Sequence, residues 1–314
     1  MAESLKRIEY YHGSENTLQN LVVWEFPEST AQSNSSQQTK YWLVYIHGGA
    51  WRDPRTDLEG AIPGINKLLG KEDSPLPDPQ ARIAGFAAIN YRLSPHPNRT
   101  QDEASVPGFA KRNAKHPDHI RDVWAALSLL QNKFAFGSNY ILYGHSAGAT
   151  LAYQVLMGSA ALKVDGKDVP GGIAELPADV ALPVAVVGFE GIYDMVALNQ
   201  RMGDAYRSLF AGPFGDDDER WTEASPAAFT GSYSDNWGGP SGKLAVVAHS
   251  PRDELIDMPE ADLMEKRLRQ EEGLCVLAYR DLDGLHDEIV EDGKYIARVL
   301  FQTLQELDKV SSTS

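Results

Sequence analysis

The stretch Tyr140-Ile141-Leu142-Tyr143-Gly144-His145-Ser146-Ala147-Gly148-Ala149-Thr150-Leu151 joins a short apolar run to a helix-forming run through five residues. The first four residues read as a buried strand. From Ala147 the composition suits a helix reaching Leu162. Between them, Gly144-His145-Ser146-Ala147-Gly148 has the Gly-x-Ser-x-Gly form, and a strand before and a helix after are the context in which that form acts as a nucleophile elbow. Such a turn strains the serine backbone, and its glycines let neighbouring segments come close. The hydroxyl then stands at the end of the sheet beside helix N-terminal amides that favour negative charge.

The alternation of strand and helix continues on both sides. Further strands are expected over residues 21–26, 41–47, 83–91, 184–189, 244–249 and 274–279. Most are continuous apolar runs, as strands covered on both faces require. Helices are expected over 119–134, 147–162, 259–272 and 287–307; in the first, Ile120, Val123, Trp124, Leu127 and Leu130 form one stripe. The pattern predicts an α/β fold, a mostly parallel central sheet flanked by helices. Length alone would allow two domains in 314 residues, but no linker or repeat divides them. The expectation is one domain over 1–314 with cap-like insertions at about 94–117, 163–183 and 201–242. The Ser/Gln-rich residues 29–39 and the proline-bearing residues 72–80 read as surface loops, and 310–314 as a frayed tail.

Upstream of the elbow, the strand at 41–46 ends in His47-Gly48-Gly49-Ala50-Trp51. Acyl transfer builds an oxyanion, and amides must already point at it. Glycines present their N–H groups without side-chain obstruction. The loop therefore offers Gly48 and Gly49 as donors, joined by Ala147 after the nucleophile. His47 precedes the donors and reads as a brace for the loop, not as a base. Downstream, acid and then base should follow the serine. Two histidines lie well beyond Ser146, His249 and His286. His286 is preferred because it follows the last strand, in Asp283-Gly284-Leu285-His286-Asp287. The acid belongs after the preceding strand, where Asp253 leads and Glu254 and Asp257 are rivals. Asp281, Asp283 and Asp287 read as solvated or helix-capping residues.

Bulk properties narrow the function classes. Hydrophobic residues at 42% supply a large core, and a formal charge of −15 disfavours nucleic-acid and anionic-membrane partners. The single cysteine, Cys275, excludes an internal disulfide and reads as a small buried hydrophobe. The N-terminal residues lack a secretory apolar core, which points to the cytosol. His116 and His119 bracket a helix start without a third ligand, so no metal is expected. No Walker loop or dinucleotide glycine pattern occurs, so no cofactor is expected either. The partners to expect are a small-molecule substrate and, at most, a second copy of the chain.

Taken together, His47-Gly48-Gly49-Ala50-Trp51 with Arg52-Asp53-Pro54, Asn90-Tyr91-Arg92-Leu93-Ser94-Pro95, the serine elbow and Gly191-Ile192-Tyr193-Asp194 resemble the fungal kynurenine formamidases. Those enzymes belong to the esterase/lipase branch of the α/β-hydrolases. The likeness runs from about Tyr41 to the final helix. It implies an α/β-hydrolase fold, Ser146, Asp253 and His286 as a catalytic triad, and hydrolysis of N-formyl-L-kynurenine to kynurenine and formate without a cofactor. Under it, Trp51 either lines the substrate pocket or anchors the donor loop in the core. Arg52 and Asp53, next to the donor loop, are candidates for the substrate's ammonium and carboxylate, but a structural salt bridge is the preferred expectation. Two other readings share the motifs: a small-acyl carboxylesterase or pathway-specific hydrolase, and a catalytically dead ligand-binding relative. The second is disfavoured by the presence of both serine and histidine.

Overall fold

The computed structural model describes residues 2–27, 39–70, 75, 76, 78–102, 104–168 and 180–312. Eight strands form one sheet: β1 (Lys6–Tyr11), β2 (Asn20–Glu25), β3 (Tyr41–Ile46), β4 (Ile83–Ile89), β5 (Tyr140–His145), β8 (Ala185–Phe189), β9 (Leu244–Ala248) and β10 (Cys275–Tyr279). Their order is β1-β2-β4-β3-β5-β8-β9-β10; β6 (Lys163–Val164) and β7 (Lys167–Asp168) form a separate small hairpin. Within this eight-stranded sheet the β1–β2 and β2–β4 pairs are antiparallel. All other pairs in the sheet are parallel.

Continuous apolar runs sit here because helices cover both faces. Along β3, Trp42, Val44 and Ile46 join the core that includes Val123, Trp124 and Leu127 of the helix Asp118–Phe134. Leu43 and Tyr45 point the other way, into a core with Ile65, Ile296, Val299 and Leu300. Each fully buried aliphatic side chain contributes about 1.5–3 kcal/mol. From β3 the chain passes to β4 on one side and returns to β5 on the other. The crevice beyond the carboxyl ends of β3 and β5 is therefore where a parallel sheet accepts ligands.

Three differences from the sequence reading have clear causes. β1 was not anticipated: Lys6-Arg7-Ile8-Glu9-Tyr10-Tyr11 is an edge strand with mostly exposed side chains and no buried face to mark it. The helix expected over 287–307 breaks into Glu288–Asp292 and Lys294–Ser312 at Gly293. There φ is +71°, and a Cβ would lie 2.4 Å from the Gly64 amide nitrogen of the crossing helix Ile62–Leu69, so only glycine fits. Cys275 is half-buried, not buried, because β10 is the other edge strand. Of the expected loops, most of 29–39, part of 72–80, 169–179 and the last two residues lie outside the described residues. Among the described residues no helix is long and apolar enough to cross a membrane.

Candidate active site

Ser146 is the first residue beyond β5 and the N-cap of the helix Ala147–Met157, with φ +55° and ψ −123°. Two close approaches hold it in this turn. A Cβ on Gly144 would lie 2.2 Å from the Gly148 carbonyl oxygen, and one on Gly148 would lie 2.1 Å from the Ile46 carbonyl oxygen. Elbow and donor loop are thus in backbone contact, which is why both positions must be glycine. A Cβ at Gly48 would come within 3.1 Å of the Ser146 Cβ. The amides of Gly48, Gly49 and Ala147 are taken by no backbone carbonyl among the described residues. Those N–H groups are available for an oxyanion beside the serine.

The loops after β9 and β10 bring together Asp253 and His286, the residues expected as acid and base. His286 Nδ1 lies 2.8 Å from Asp253 Oδ2. Asp253 Oδ1 accepts the amides of Leu255 and Ile256 at 2.9 and 2.8 Å, which fixes the carboxylate. Burial alone would raise the Asp253 pKa; the His286 contact and the two amides outweigh it and hold the group below the usual carboxylate value. The rival acids are engaged elsewhere. Glu254 Oε2 accepts the His286 backbone N–H at 3.0 Å. Asp257 pairs with Arg201 at 2.7 Å. His249 gives Nε2 to the Ile256 carbonyl at 2.9 Å and braces the acid loop.

Ser146, His286, Gly48 and Gly49 open on one cleft of about 710 Å³, whose walls also include His96, Ile192, Tyr206, Leu209 and Leu255. His145 Nε2, Glu190 Oε2 and His286 Nδ1 lie within 4.8 Å of one another, a spacing a metal could use. The hydrogen bonding argues against it. His145 Nε2 faces the His286 carbonyl oxygen at 3.0 Å and His286 Nδ1 faces a carboxylate, so both nitrogens carry protons, not free lone pairs.

With this geometry in place, the chain can be set beside known proteins. No family model matches it. It is 33% identical to the kynurenine formamidase-like hydrolase fscH of Fusarium equiseti, over 98% of this chain and 97% of that one. It is also 33% identical to the kynurenine formamidase avaC of Aspergillus versicolor, over 80% and 84%. The chain belongs to the kynurenine formamidase family. Within this family the Saccharomyces cerevisiae enzyme is 25% identical over 86% of this chain and 90% of its own. Solved structures show the fold alone: EstE5 superposes with a TM-score of 0.62 at 13% identity, covering 97% of this chain and 86% of that one. Esterase B from Lactobacillus rhamnosis gives 0.58 at 13% identity, covering 99% and 90%. Both agree with an α/β-hydrolase sheet.

Set against the kynurenine formamidase pattern, the sequence-predicted residues Ser146, His286, Gly48 and Gly49 meet at the cleft, with Asp253 behind His286 and Ala147 next to the serine. Trp51 does not line it. Its ring is fully buried and packs edge-on against Phe214 at 4.8 Å, the loop-anchoring alternative. The expected Arg52–Asp53 salt bridge is corrected. Asp53 pairs with Arg55 at 2.6 Å, and buried Arg52 donates to the carbonyls of Pro95, Ser208 and Leu209. His47 stacks on Tyr91 at 4.3 Å, and burial lowers its pKa to about 4, so it stays neutral as the loop's brace. The sequence reading missed Glu190, whose carboxyl faces His145 and His286. The available signal was a carboxylate at the carboxyl end of an apolar strand, directly before Gly191-Ile192-Tyr193-Asp194.

Proposed function

We propose that the protein is a serine hydrolase that cleaves the formyl amide of N-formyl-L-kynurenine. The observation that carries this reading is the His286–Asp253 pair at 2.8 Å, opening with Ser146 on a cleft bordered by the free Gly48 and Gly49 amides. The names of the relatives supply the substrate; the site supplies chemistry suited to it.

In the proposed cycle His286 takes the Ser146 proton as the hydroxyl attacks the formyl carbon. Asp253 holds the imidazole with its proton on Nδ1 and stabilises the imidazolium. The amides of Gly48, Gly49 and Ala147 receive the oxyanion, each such donor being worth about 100- to 1,000-fold in turnover. His286 returns the proton to the departing aryl amine, and water releases formate from the formyl-serine by the same steps. An aryl amine leaves more readily than an alkyl amine, and the formyl group is small. The cleft has the volume of a small-molecule site. Its walls carry both signs of charge, Arg55 against Asp57, Asp287 and Glu291, which suits a zwitterionic amino acid. The insertions at 94–117 and 201–242 would act as its partial cap, through His96, Tyr206 and Leu209.

The test follows the loss of N-formyl-L-kynurenine absorbance, beside p-nitrophenyl acetate hydrolysis. Rapid deformylation that exceeds the ester rate is expected, and Ser146→Ala should lose at least about 10,000-fold. A Ser146→Ala protein within tenfold of wild type would remove the serine mechanism. Ester cleavage without deformylation would keep the triad and assign the protein to small-acyl esterases.

A further inference from the structure

Glu190 follows β8 and is one of seven non-glycine residues with positive φ among those described. Four of them, Ala50, Trp51, Ser146 and Glu190, lie just beyond the carboxyl ends of β3, β5 and β8, where the site is built. Strained backbone concentrates where geometry is needed for function. The Glu190 amide is fixed to the Ala248 carbonyl at 2.9 Å, and its side chain is fully buried. Oε2 lies 3.2 Å from His145 Nε2 and 3.7 Å from His286 Nδ1, and the Ser250 backbone amide lies against the same carboxyl. The base therefore faces two carboxyl groups from two strand ends: Asp253 at hydrogen-bonding distance and Glu190 about an ångström farther.

The two carboxyls flank one imidazole nitrogen, at 2.8 and 3.7 Å, and in a buried site the charge on one disfavours the charge on the other. Asp253 has two amides and the imidazole as partners, so it keeps the charge. Glu190 is surrounded by His145 from β5, Asp253, Glu254 and the Ser250 amide from the loop after β9, His286 from the loop after β10, and Tyr193 on its own loop. Burial first and the Asp253 charge second push its pKa up to about 9, against the opposing pull of His286. At neutral pH it is a carboxylic acid.

We propose that Glu190 is a second acid for His286: a positioning residue held beside Asp253 at the same imidazole nitrogen, which orients the imidazole when the Asp253 charge is lost. In that event the Glu190 proton leaves to solvent and the carboxylate accepts the His286 Nδ1–H, so the charge on the pair is conserved. The inference rests on the Ser146–His286–Asp253 reading.

A double-mutant cycle tests it, with thermal unfolding to check that each variant is folded. Replacing the acid of such a triad costs about 10,000-fold when nothing substitutes for it. Asp253→Asn and Asp253→Ala should instead lose only about 100- to 1,000-fold in kcat/KM, with activity still climbing above the pH at which wild type levels off. Glu190→Gln should cost less than about tenfold with Asp253 present. In the Asp253→Asn background it should remove about another hundredfold and abolish the alkaline rise. If the Asp253 variants already sit at the Ser146→Ala level and Glu190→Gln adds nothing, the second acid is overturned and the triad stands. If they keep wild-type rates even with Glu190→Gln added, the triad reading itself fails. Should neither Asp253 variant fold, difference infrared spectra of wild type against Glu190→Gln decide. A carboxylic-acid carbonyl band at neutral pH supports the proposal, and its absence ends it.

Discussion

On the β3–β5 side of the cleft, position is set by backbone meeting backbone; on the β8–β10 side it is set by which of several carboxyls finds the best partners. The first side has no spare parts. Gly144, Gly148 and Gly48 are held against one another and against Ser146 at distances that leave little or no room for a side chain. The second side has a surplus: Glu190, Asp253 and Glu254 all lie against His286, while Asp257 on the same loop as Asp253 turns to Arg201, and hydrogen bonding sorts their positions. A nucleophile and an oxyanion must be placed to a fraction of an ångström, and packed backbone achieves that. A charge acts over a longer range, so an acid side can tolerate the redundancy proposed for Glu190.

The hardest way to break the first side is Gly148→Ala. The new Cβ would meet the carbonyl oxygens of Ile46 at 2.1 Å and His47 at 2.6 Å, both backbone atoms of the neighbouring strand end. Side-chain overpacking costs about 1–3 kcal/mol because side chains can move. Here β3 itself must shift, so more than about 3 kcal/mol is expected, with a fall in Tm of several degrees and near-total loss of activity. A Gly148→Ala protein with the wild-type melting curve would show that this side is looser than it looks.

The same contrast explains what could be read from the sequence. Glycine spacing around Ser146, and the His-Gly-Gly run after β3, mark the first side because a geometric demand leaves few residue choices. The parallel core was equally legible, since strands covered on both faces must be apolar throughout. The second side was only half legible. Asp253 could be named from chain order, but nothing in Asp253-Glu254-Leu255-Ile256-Asp257 says which carboxylate reaches His286. Glu190 was marked only by its place at the end of an apolar strand, because its role depends on two loops distant in sequence. Trp51 and Arg52 were ambiguous for a related reason: whether a large side chain beside the donor loop faces the cleft or the core is decided by the 201–242 insertion packed over it.

Arg52 links the two sides, and its removal should have the next largest effect. It is buried and has no carboxylate partner among the described residues. Its guanidinium instead ties the donor loop to Pro95 in one insertion and to Ser208 and Leu209 in the other. The helix Arg207–Phe214 packs so tightly on it that a Cβ at Gly212 would lie 2.6 Å from Nη2. Arg52→Ala should leave these carbonyls short of donors and loosen the wall bearing Leu209. A roughly ten- to hundredfold loss in kcat/KM is expected, mostly through KM, with a lower Tm. Arg52→Lys should rescue little, because an ammonium cannot reproduce the fork. Full activity in the lysine variant would mean that the clamp is not what holds the wall.

Glu254→Gln should have the smallest effect and sharpens the comparison most directly. Glu254 sits next to Asp253 and touches the same residue, but it accepts the His286 backbone N–H, not the imidazole. Glutamine keeps a carbonyl oxygen for that hydrogen bond, so the loop carrying His286 should hold its place. The lost negative charge belongs to an exposed group, where solvent screens its effect on the imidazolium. A change in kcat/KM within about threefold is therefore expected, against the hundredfold or more for Asp253→Asn. If Glu254→Gln instead fell as far as Asp253→Asn, the two carboxylates would be acting as one unit. Proximity to the base, and not the hydrogen bond to Nδ1, would then be what defines the acid.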